Sequence, residues 1–334
     1  MKTEKKIKKF KENFNIYFVK EVESIIKEQR DFHPVTTDLD ESLFEIVLDY
    51  IKGGKRIRPF LINFFADTDV DKDLLMDICI ASELFHLAAI IHDDIMDESV
   101  LRRGVPTIHV ATQKFSQENK MLGKDIALLL GDVFLTESIA KAANLPKPIF
   151  EEFRKMIQRT IRGQYLDSFG MNKTLGTVSK ETVIARYELK TAWYTFTSPA
   201  LFGFMLSDNQ SKESLAVLIS VMTELGLLFQ IRDDIIDCID KNSGKPLFGD
   251  ISENQTTWVM LHIKENYPEK FEEIIKVKDL HDISQLELIF RDIDLKTPYE
   301  KEFQKRLDLI EDIDAEYGDI KEKVREVLNL LLLE

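Results

Sequence analysis

Two clusters of aspartates have the spacing of a metal site on a helix. In the pattern DDxxD, the first and last carboxylates lie one turn apart on the same helix face, with the second beside them. Carboxylates this close repel one another, most of all near the negative end of a helix, so a bound cation would stabilise them. Oxygen ligands without thiolates suit Mg²⁺. The six candidate metal ligands are Asp93, Asp94, Asp97, Asp233, Asp234 and Asp237.

A single acidic helix end is more often a solvated surface feature than a metal site. Here, each cluster ends a helical stretch that is apolar around its circumference, over residues 72–97 and 211–240. A helix that is apolar all round belongs in the centre of a bundle. The repeated pattern therefore predicts two acid clusters at the mouth of a buried cavity lined by helices.

Basic residues accompany the acidic ones in two places. Residues 53–59, GGKRIRP, contain two glycines that permit a tight turn before a helix start, where Lys55, Arg56 and Arg58 follow. Arg102 and Arg103 form a second pair soon after the first acid cluster. Either group alone would be interpreted as a basic surface loop. In a chain with a net charge of −14, the two together predict an anion site suited to a diphosphate.

Four polar side chains lie within apolar helical stretches. His86 is two turns before the first acid cluster, Lys190 and Thr191 lie in the middle of a helix, and Gln230 precedes the second cluster on the same face. A lone histidine on an apolar helix is usually a satisfied core residue. Threonine and glutamine there make ordinary hydrogen bonds between helices, or they present neutral oxygens to a developing carbocation. The residues by themselves leave both interpretations open.

Helices must position all of these residues. With 13 Gly and 9 Pro among 334 residues, turn residues are too few for a β-sandwich or a barrel. Long segments of helical periodicity, with no flexible linker, predict a single all-α domain over residues 1–334, a large helical bundle around a central apolar cavity. The predicted helices lie near 5–30, 40–52, 56–66, 72–97, 107–118, 122–143, 148–168, 180–206, 211–240 and 255–265, followed by three or four shorter ones between 269 and 333.

Candidate capping residues mark several of these helix starts. Asp38, Asp71, Ser179 and Ser211 each precede a helical run with a carboxylate in its first turn. Side chains of this kind accept hydrogen bonds from the first free backbone N–H groups of a helix.

Charge and composition also exclude some functions. A net charge of −14 argues against general binding to nucleic acid, which needs a basic surface. No run approaches 18 apolar residues, so we expect no transmembrane span and no stable membrane insertion. The basic N-terminal segment lacks the apolar stretch of a secretory signal. Two cysteines, Cys79 and Cys238, fit a reducing compartment. We therefore expect a cytoplasmic protein.

Taken in order, these motifs resemble the trans-prenyl diphosphate synthases, or polyprenyl synthetases. The resemblance runs from about Ile51 to about Thr257. It rests on GGKRIRP, on a histidine seven residues before DDIMD, on the RRG that follows, and on GD, GQYLD, KT and Q-x2-DDIID further along. The two acid motifs combined with the two basic ones make the resemblance specific.

The resemblance implies a role for each group of residues. The six aspartates would hold about three Mg²⁺ ions against an allylic diphosphate. That same diphosphate would be contacted by Arg102, Lys190 and Lys245, with Thr191 and Gln230 near the allylic cation. Isopentenyl diphosphate would be bound without metal by Lys55, Arg58, His86 and Arg103.

The implied reaction is chain elongation, in which isopentenyl diphosphate condenses with an allylic diphosphate. The family also implies a homodimer, and the apolar segment around 123–135 agrees with this. Two other functions stay open. A terpene cyclase would share the fold but needs no second diphosphate site. A non-catalytic subunit of a heteromeric synthase would be expected to lose one acid motif.

The length of the product is expected to depend on residues that precede the first acid cluster by about one helical turn. In the family, an aromatic residue at Ala88 or Ala89 closes the cavity, and here two alanines leave it open. Phe85 is among the candidates for the floor on the next turn. We expect products of about twenty carbons or longer, and we expect Ala88→Phe to shorten them.

One segment departs from the family. Asn254 and Gln255 stand where the resemblance implies Gly-Lys, and Trp258 and Val259 stand where it implies Leu-Pro. A cation expected at the edge of the allylic site is therefore missing from that position.

Overall fold

The chain is almost wholly helical in a computed structural model. The structure describes residues 2–32, 38–207, 211–240, 247–278 and 282–332. Within these ranges, the strands are confined to one hairpin, in which Leu101–Arg102 pairs antiparallel with Val105–Pro106. The prediction of an all-α fold is confirmed.

The helices follow the predicted segments, except that the helix predicted over 107–118 ends at Gln113 and the short helix over Gly249–Ser252 was not predicted. They are α1 (Lys2–Asp31), α2 (Asp38–Ile51), α3 (Ile57–Phe65), α4 (Lys72–Met96), α5 (Ile108–Gln113), α6 (Leu122–Ala142), α7 (Lys147–Met171), α8 (Lys180–Tyr187), α9 (Ser198–Met205), α10 (Lys212–Ile239), α11 (Gly249–Ser252), α12 (Trp258–Asn266), α13 (Pro268–Lys278), α14 (Ile283–Phe290), α15 (Lys296–Glu311) and α16 (Gly318–Leu332). A π-helix covers Glu188–Thr197, and a 3-10 turn covers Ala315–Tyr317.

The chain forms two compact units. The first comprises Met1–Arg154 together with Phe202–Ser207, and the second comprises Lys155–Leu201 together with Asp208–Glu334. The prediction of a single domain stays a prediction.

Helix α4 is the central element of the first unit. It packs against α6 along most of its length and also against α3. Between Ile78 and Ile91 nearly every side chain is buried, which explains why this helix is apolar around its circumference. The helix therefore carries its terminal aspartates out of a buried apolar core.

Helix α10 has the corresponding place in the second unit. It packs against the π-helix, α12, α15 and α16. A core of aliphatic and aromatic side chains joins it to the helices that follow, and Phe248 meets Phe290 there at a ring separation of 4.9 Å. The aspartates near its C-terminus again follow a buried apolar stretch.

Helices α4 and α10 are long and apolar enough, by length and composition, to span a membrane. About 72% of the apolar window of α4 and 50% of that of α10 are buried inside the protein. Burial of this kind is typical of core helices.

Predicted caps begin α4, α8 and α10. Asp71 accepts hydrogen bonds from the backbone N–H groups of Asp73 and Leu74. Ser179 accepts one at the start of α8, and Ser211 takes part in a capping box at the start of α10. These contacts satisfy N–H groups that have no partner within the helix. The side chain of Asp38 lies outside the described part of the chain.

The predicted long helix over 180–206 is interrupted. A π-helix ends just before Ser198 and Pro199, where the N–H of Ser198 bonds to the carbonyl of Trp193. Proline has no N–H to continue the ladder, so a change of register before it removes the conflict. The widened turns carry Lys190 and Thr191.

Candidate active site

The first acid cluster closes α4. Asp93 lies in its last turn and Asp97 caps it, and one carboxylate oxygen of each lies within 4.8 Å of the other. Both side chains are half-buried. A pair of hard oxygen donors at this separation fits a divalent cation such as Mg²⁺.

The middle aspartate of this cluster has protein partners. Asp94 is buried, and the Tyr50 hydroxyl donates a hydrogen bond to its Oδ2 at 2.5 Å. Arg102 donates to Oδ1 through Nε at 2.8 Å, and its Nη2 lies 3.7 Å from Asp93. The buried carboxylate thus ties α4 to α2 and to the hairpin, which positions the two neighbouring carboxylates.

Burial and charge shift the proton equilibria of these partners. Burial, reinforced by the negative charge of Asp94, raises the pKa of the Tyr50 phenol well above its ordinary value. Burial alone would lower the pKa of Arg102, but the hydrogen bond and charge of Asp94 outweigh it and raise that pKa. Tyr50 is therefore a fixed proton donor to Asp94, and Arg102 stays a cation.

The two predicted basic groups come together within the first unit. Gly53 and Arg56 adopt left-handed backbone conformations, with φ of 81° and 57°. A Cβ on Gly54 would lie 2.7 Å from Nη1 of Arg56 and 3.4 Å from Nη1 of Arg103. The glycine therefore leaves room for two guanidinium groups against the turn. Lys55 is exposed beside them, as an anion-binding cation should be.

Arg56 holds this turn in place. Its guanidinium is buried and forms an ion pair with Glu83 of α4 at 2.6 Å, while Nη2 donates to the carbonyl of Ile51 at 3.0 Å. A cavity of about 10 Å³ lies here, lined by side chains that include Glu83, His86 and Arg103.

His86 is set among arginines. Its desolvation, together with the positive charges of Arg58, Arg103, Arg102 and Arg56, holds the pKa of its imidazole well below the ordinary value. Of the residues predicted to bind isopentenyl diphosphate, Arg58, His86 and Arg103 thus share one strongly positive environment. A neutral imidazole there can donate one hydrogen bond and accept another without adding charge.

The second acid cluster repeats the arrangement of the first. Asp234 is buried and accepts hydrogen bonds from the hydroxyl of Tyr187 and from Nε2 of Gln230, the latter at 3.0 Å. The backbone N–H of Trp258 adds a third at 3.2 Å. Asp233 is half-buried next to it. As in the first cluster, a tyrosine outside the acid motif fixes the middle aspartate.

Burial raises the pKa of Asp234, and the nearby charge of Asp250 adds to the effect. Asp237 has a structural contact as well, because its Oδ2 accepts a hydrogen bond from the backbone N–H of Asp250 at 3.2 Å. The second cluster is therefore linked to the start of α11, and extra negative charge gathers there.

The predicted polar residues of the mid-chain helices meet near Asp234. The Thr191 hydroxyl donates to Oε1 of Gln230 at 2.8 Å, and Gln230 in turn donates to Asp234. Lys190 forms an ion pair with Asp167 of α7. A Cβ on Gly163 would lie 2.4 Å from the backbone nitrogen of Lys190, so this glycine lets α7 approach the π-helix closely.

The remaining predicted residues are Lys245 and the three residues expected to control product length. Lys245 lies outside the described residues. Ala88 is buried, whereas Ala89 is half-buried on the neighbouring position of α4. Phe85 is buried one turn earlier, with its ring centroid 6.4 Å from that of Phe153.

Sequence reasoning missed several residues that hold the site together. Tyr50 and Tyr187 were not singled out, although one lies just before GGKRIRP and the other three residues before the KT pair. Asp167 lies within the GQYLD motif, but the motif alone does not indicate its partners. Arg186 had no recognisable pattern. The only sequence signal for Tyr50, Tyr187 and Asp167 is that they lie beside or within motifs. Their hydrogen-bond partners are distant in sequence.

Comparison with known proteins identifies relatives over most of the chain. A polyprenyl synthetase family model matches residues 40–293. The geranylgeranyl diphosphate synthase of Saccharolobus solfataricus is 30% identical over 234 residues, which cover 67% of this chain and 65% of that protein. The match thus spans slightly less than two thirds of that relative's length. The farnesyl diphosphate synthase of Geobacillus stearothermophilus is 33% identical over 228 residues, covering 63% of this chain and 71% of that protein.

A solved structure agrees with the fold. The geranylgeranyl pyrophosphate synthase from Corynebacterium glutamicum, complexed with isoprenyl diphosphate and magnesium, superposes with a TM-score of 0.77 at 22% sequence identity. The match covers 96% of this chain and 99% of that one. At this identity the similarity shows the shared all-α fold.

Proposed function

The chain belongs to the polyprenyl synthetase family, and from this premise we propose that it condenses isopentenyl diphosphate with an allylic diphosphate. The product would be an all-trans polyprenyl diphosphate of about twenty carbons or longer. The observation that carries the proposal is the repeated acid cluster, in which Tyr50 fixes Asp94 and Tyr187 fixes Asp234. Acidic residues that serve only as a solvated surface do not need a buried aspartate that is held by a tyrosine.

In this proposal, the aspartates bind Mg²⁺ and divide the task. Asp93 with Asp97, and Asp233 with Asp237, supply the more accessible carboxylates, while Asp94 and Asp234 orient their neighbours. We expect about three ions per active site. Bound Mg²⁺ supplies neutralisation of the charge on the leaving diphosphate.

The remaining residues act on the substrates directly. Arg102, Lys190 and Lys245 donate hydrogen bonds to the allylic diphosphate as its C–O bond breaks and the electron pair leaves with oxygen. The oxygens of Thr191 and Gln230, which are hydrogen-bonded to each other, stabilise the allylic cation. The bond then forms as the double bond of isopentenyl diphosphate attacks, and a proton passes to the departed diphosphate.

Isopentenyl diphosphate would be held by the arginine-rich turn. Lys55, Arg58 and Arg103 supply the cations, and His86 supplies a neutral hydrogen-bonding group. This second anion site is what distinguishes an elongating enzyme from a terpene cyclase. The geometry that supports it is the approach of Arg103 to Gly54 and the positive charge of Arg58 and Arg103 around His86.

Chain length is proposed to depend on the face of α4 above the first cluster. Ala88 and Ala89 leave that level open, and Phe85 lies one turn further from the acid cluster. The Phe85 ring contacts Phe153, whose ring centroid lies 5.9 Å from that of Phe202. These three buried rings are our candidates for the floor of the product cavity.

We also propose a homodimeric, cytoplasmic enzyme. Helix α6 exposes Leu128 and Leu129, which are 50% and 64% accessible. Adjacent exposed leucines on a core-packed helix favour burial against a second copy of the chain. Sedimentation at micromolar concentration tests this, and a monomer there would contradict it.

Product analysis tests the proposed reaction. Purified protein is incubated with Mg²⁺, isopentenyl diphosphate and allylic diphosphates of several lengths, and the products are identified by mass spectrometry. Elongated prenyl diphosphates are expected. A cyclase would consume allylic diphosphate alone and release hydrocarbon, and a non-catalytic subunit would leave isopentenyl diphosphate unconsumed.

A further inference from the structure

The proposed reaction leaves one buried polar network of the second unit without a task. Arg186, at the end of α8, is 5% exposed, Asp167 of α7 is 7% exposed, and Gln255, just before α12, is 5% exposed. Burying a guanidinium and a carboxylate is unfavourable unless both are well hydrogen-bonded. The partners of these groups therefore indicate what the network is for.

Asp167 is held from both sides of its carboxylate. Nε2 of Gln255 donates to Oδ1 at 2.7 Å, and Nε of Arg186 lies 3.5 Å from the same oxygen. The ammonium of Lys190 donates to the other oxygen, Oδ2. The orientation of the carboxylate is thus set through Oδ1, and the position of Lys190 depends on Oδ2.

Arg186 is itself fixed by two acceptors. It donates to Oε1 of Gln255 and, through Nη2, to the carbonyl of Thr256 at 2.9 Å. A planar guanidinium with fixed acceptors has little freedom to rotate. The network therefore forms a rigid clamp that consists of Arg186, Gln255 and Asp167.

The clamp also places a charge where the sequence lacks one. Gln255 stands at the position where the resemblance implies lysine, and Arg186 contacts it from α8. Asn254 keeps a left-handed backbone, with φ of 63°, where the resemblance implies glycine. Its side-chain amide donates to the carbonyl of Met171 at 3.3 Å, so the loop stays anchored to α7 although the lysine is absent.

We propose that Arg186, acting with Gln255, is a positioning residue for Lys190. Arg186 shares the charge of Asp167, so that the ammonium of Lys190 is oriented by Asp167 without being neutralised by it. This inference rests on the proposed function, in which Lys190 contacts that diphosphate. Without Arg186, the negative charge of Asp167 would be balanced by Lys190 alone. The carboxylate would then hold the ammonium more tightly and away from the diphosphate.

A double-mutant cycle on diphosphate binding tests this. Binding of inorganic diphosphate with Mg²⁺ is measured by calorimetry for the wild type, Arg186→Met, Lys190→Met and the double variant. We expect each single change to weaken binding by about tenfold and the double variant to bind no more weakly than Lys190→Met. Arg291→Met, which removes an exposed arginine of the same unit, is the matched control and should bind as the wild type does.

Two results would overturn the inference: wild-type affinity in Arg186→Met, or effects that multiply in the double variant. If Arg186→Met does not fold, the variant Arg186→Met/Gln255→Lys carries the test, because it returns a cation beside Asp167. Its affinity should lie within about threefold of the wild type, and affinity as low as that of Lys190→Met would contradict the inference. Since the probe is inorganic diphosphate, the result does not depend on whether isopentenyl diphosphate is consumed.

Discussion

The hydroxyl of Tyr50 donates a hydrogen bond at 2.5 Å to the carboxylate of Asp94, 44 positions later in the chain. This contact lies inside the first unit and joins the end of α2 to the end of α4. It leaves Asp93 and Asp97 with half-buried side chains on either side of a fixed, buried carboxylate. The hydrogen bond therefore helps to position the two carboxylates that we propose as metal ligands.

Replacing Tyr50 by phenylalanine should weaken both the fold and the metal site. The change removes one partner of a buried carboxylate, and such a loss costs about 1–3 kcal/mol. Urea unfolding should show a lower midpoint with an unchanged m-value, and the Mg²⁺ concentration needed for half-maximal activity should rise. Tyr17→Phe, at an exposed tyrosine of α1, is the control. Equal midpoints for Tyr50→Phe and the wild type would show that the hydrogen bond contributes nothing.

Alanine at Gly163 should be strongly destabilising. Its Cβ would lie 2.4 Å from the backbone nitrogen of Lys190, so α7 and the π-helix would have to separate, at a cost of about 1–3 kcal/mol. Gly318→Ala is the matched control, because a Cβ there meets no atom within 4 Å. Thermal unfolding of both variants tests the prediction. A Gly163 variant as stable as the Gly318 variant would contradict the close approach.

Stability should fall below about pH 6.5 partly because of His86. The pKa of the folded imidazole lies well below the ordinary value of 6.5. Under acid conditions, the unfolded chain therefore binds a proton that the folded chain does not, and the free energy of unfolding decreases as pH falls. Above the pKa of the unfolded histidine, His86 no longer makes the free energy of unfolding depend on pH.

His86→Gln removes this titration, so its stability should fall less steeply between pH 6.5 and pH 5 than that of the wild type. Each pH unit contributes at most about 1.4 kcal/mol. Urea unfolding at a series of pH values measures the two slopes. Above pH 7.5 the two slopes should coincide, and identical slopes in the acid range would refute the prediction.

Phenylalanine at Ala89 should shorten the product without stopping condensation. Ala89 is half-buried, so its larger replacement has room to project from α4. Ala88→Phe should shorten the product too, but Ala88 is 1% exposed, and overpacking there should also lower stability by about 1–3 kcal/mol. Chain-length analysis by mass spectrometry and thermal unfolding together test the pair. Unchanged product length in both variants would remove α4 from chain-length control.

The sequence correctly predicted those features of the fold that depend on residues close together in the chain. Apolar periodicity located α4 and α10, and short polar signals located their starts at Asp71 and Ser211. The approach of Arg103 to the glycine turn is a tertiary contact, but it agrees with the prediction that the two basic motifs act together. The residues that determine these helices and their starts lie within a few turns of one another.

The remainder depended on contacts between residues distant in sequence. Arg186 and Gln255 are separated by 69 positions, and their pairing depends on how α8 is oriented against the segment before α12. The π-helix packs closely against Gly163 and ends just before Ser198 and Pro199, and hydrophobic periodicity does not reveal such a change of register. Tertiary packing therefore determined the partners of the acid clusters.

The central claim is tested most directly by the rate of isopentenyl diphosphate consumption as a function of Mg²⁺ concentration, in the wild type, Asp93→Asn and Asp233→Asn. We predict Mg²⁺-dependent consumption that EDTA abolishes and added Mg²⁺ restores, with turnover reduced by about two or more orders of magnitude in each variant while circular dichroism stays that of a folded helical protein. Near-normal consumption in both variants, or none in the wild type with any allylic diphosphate, would contradict the account.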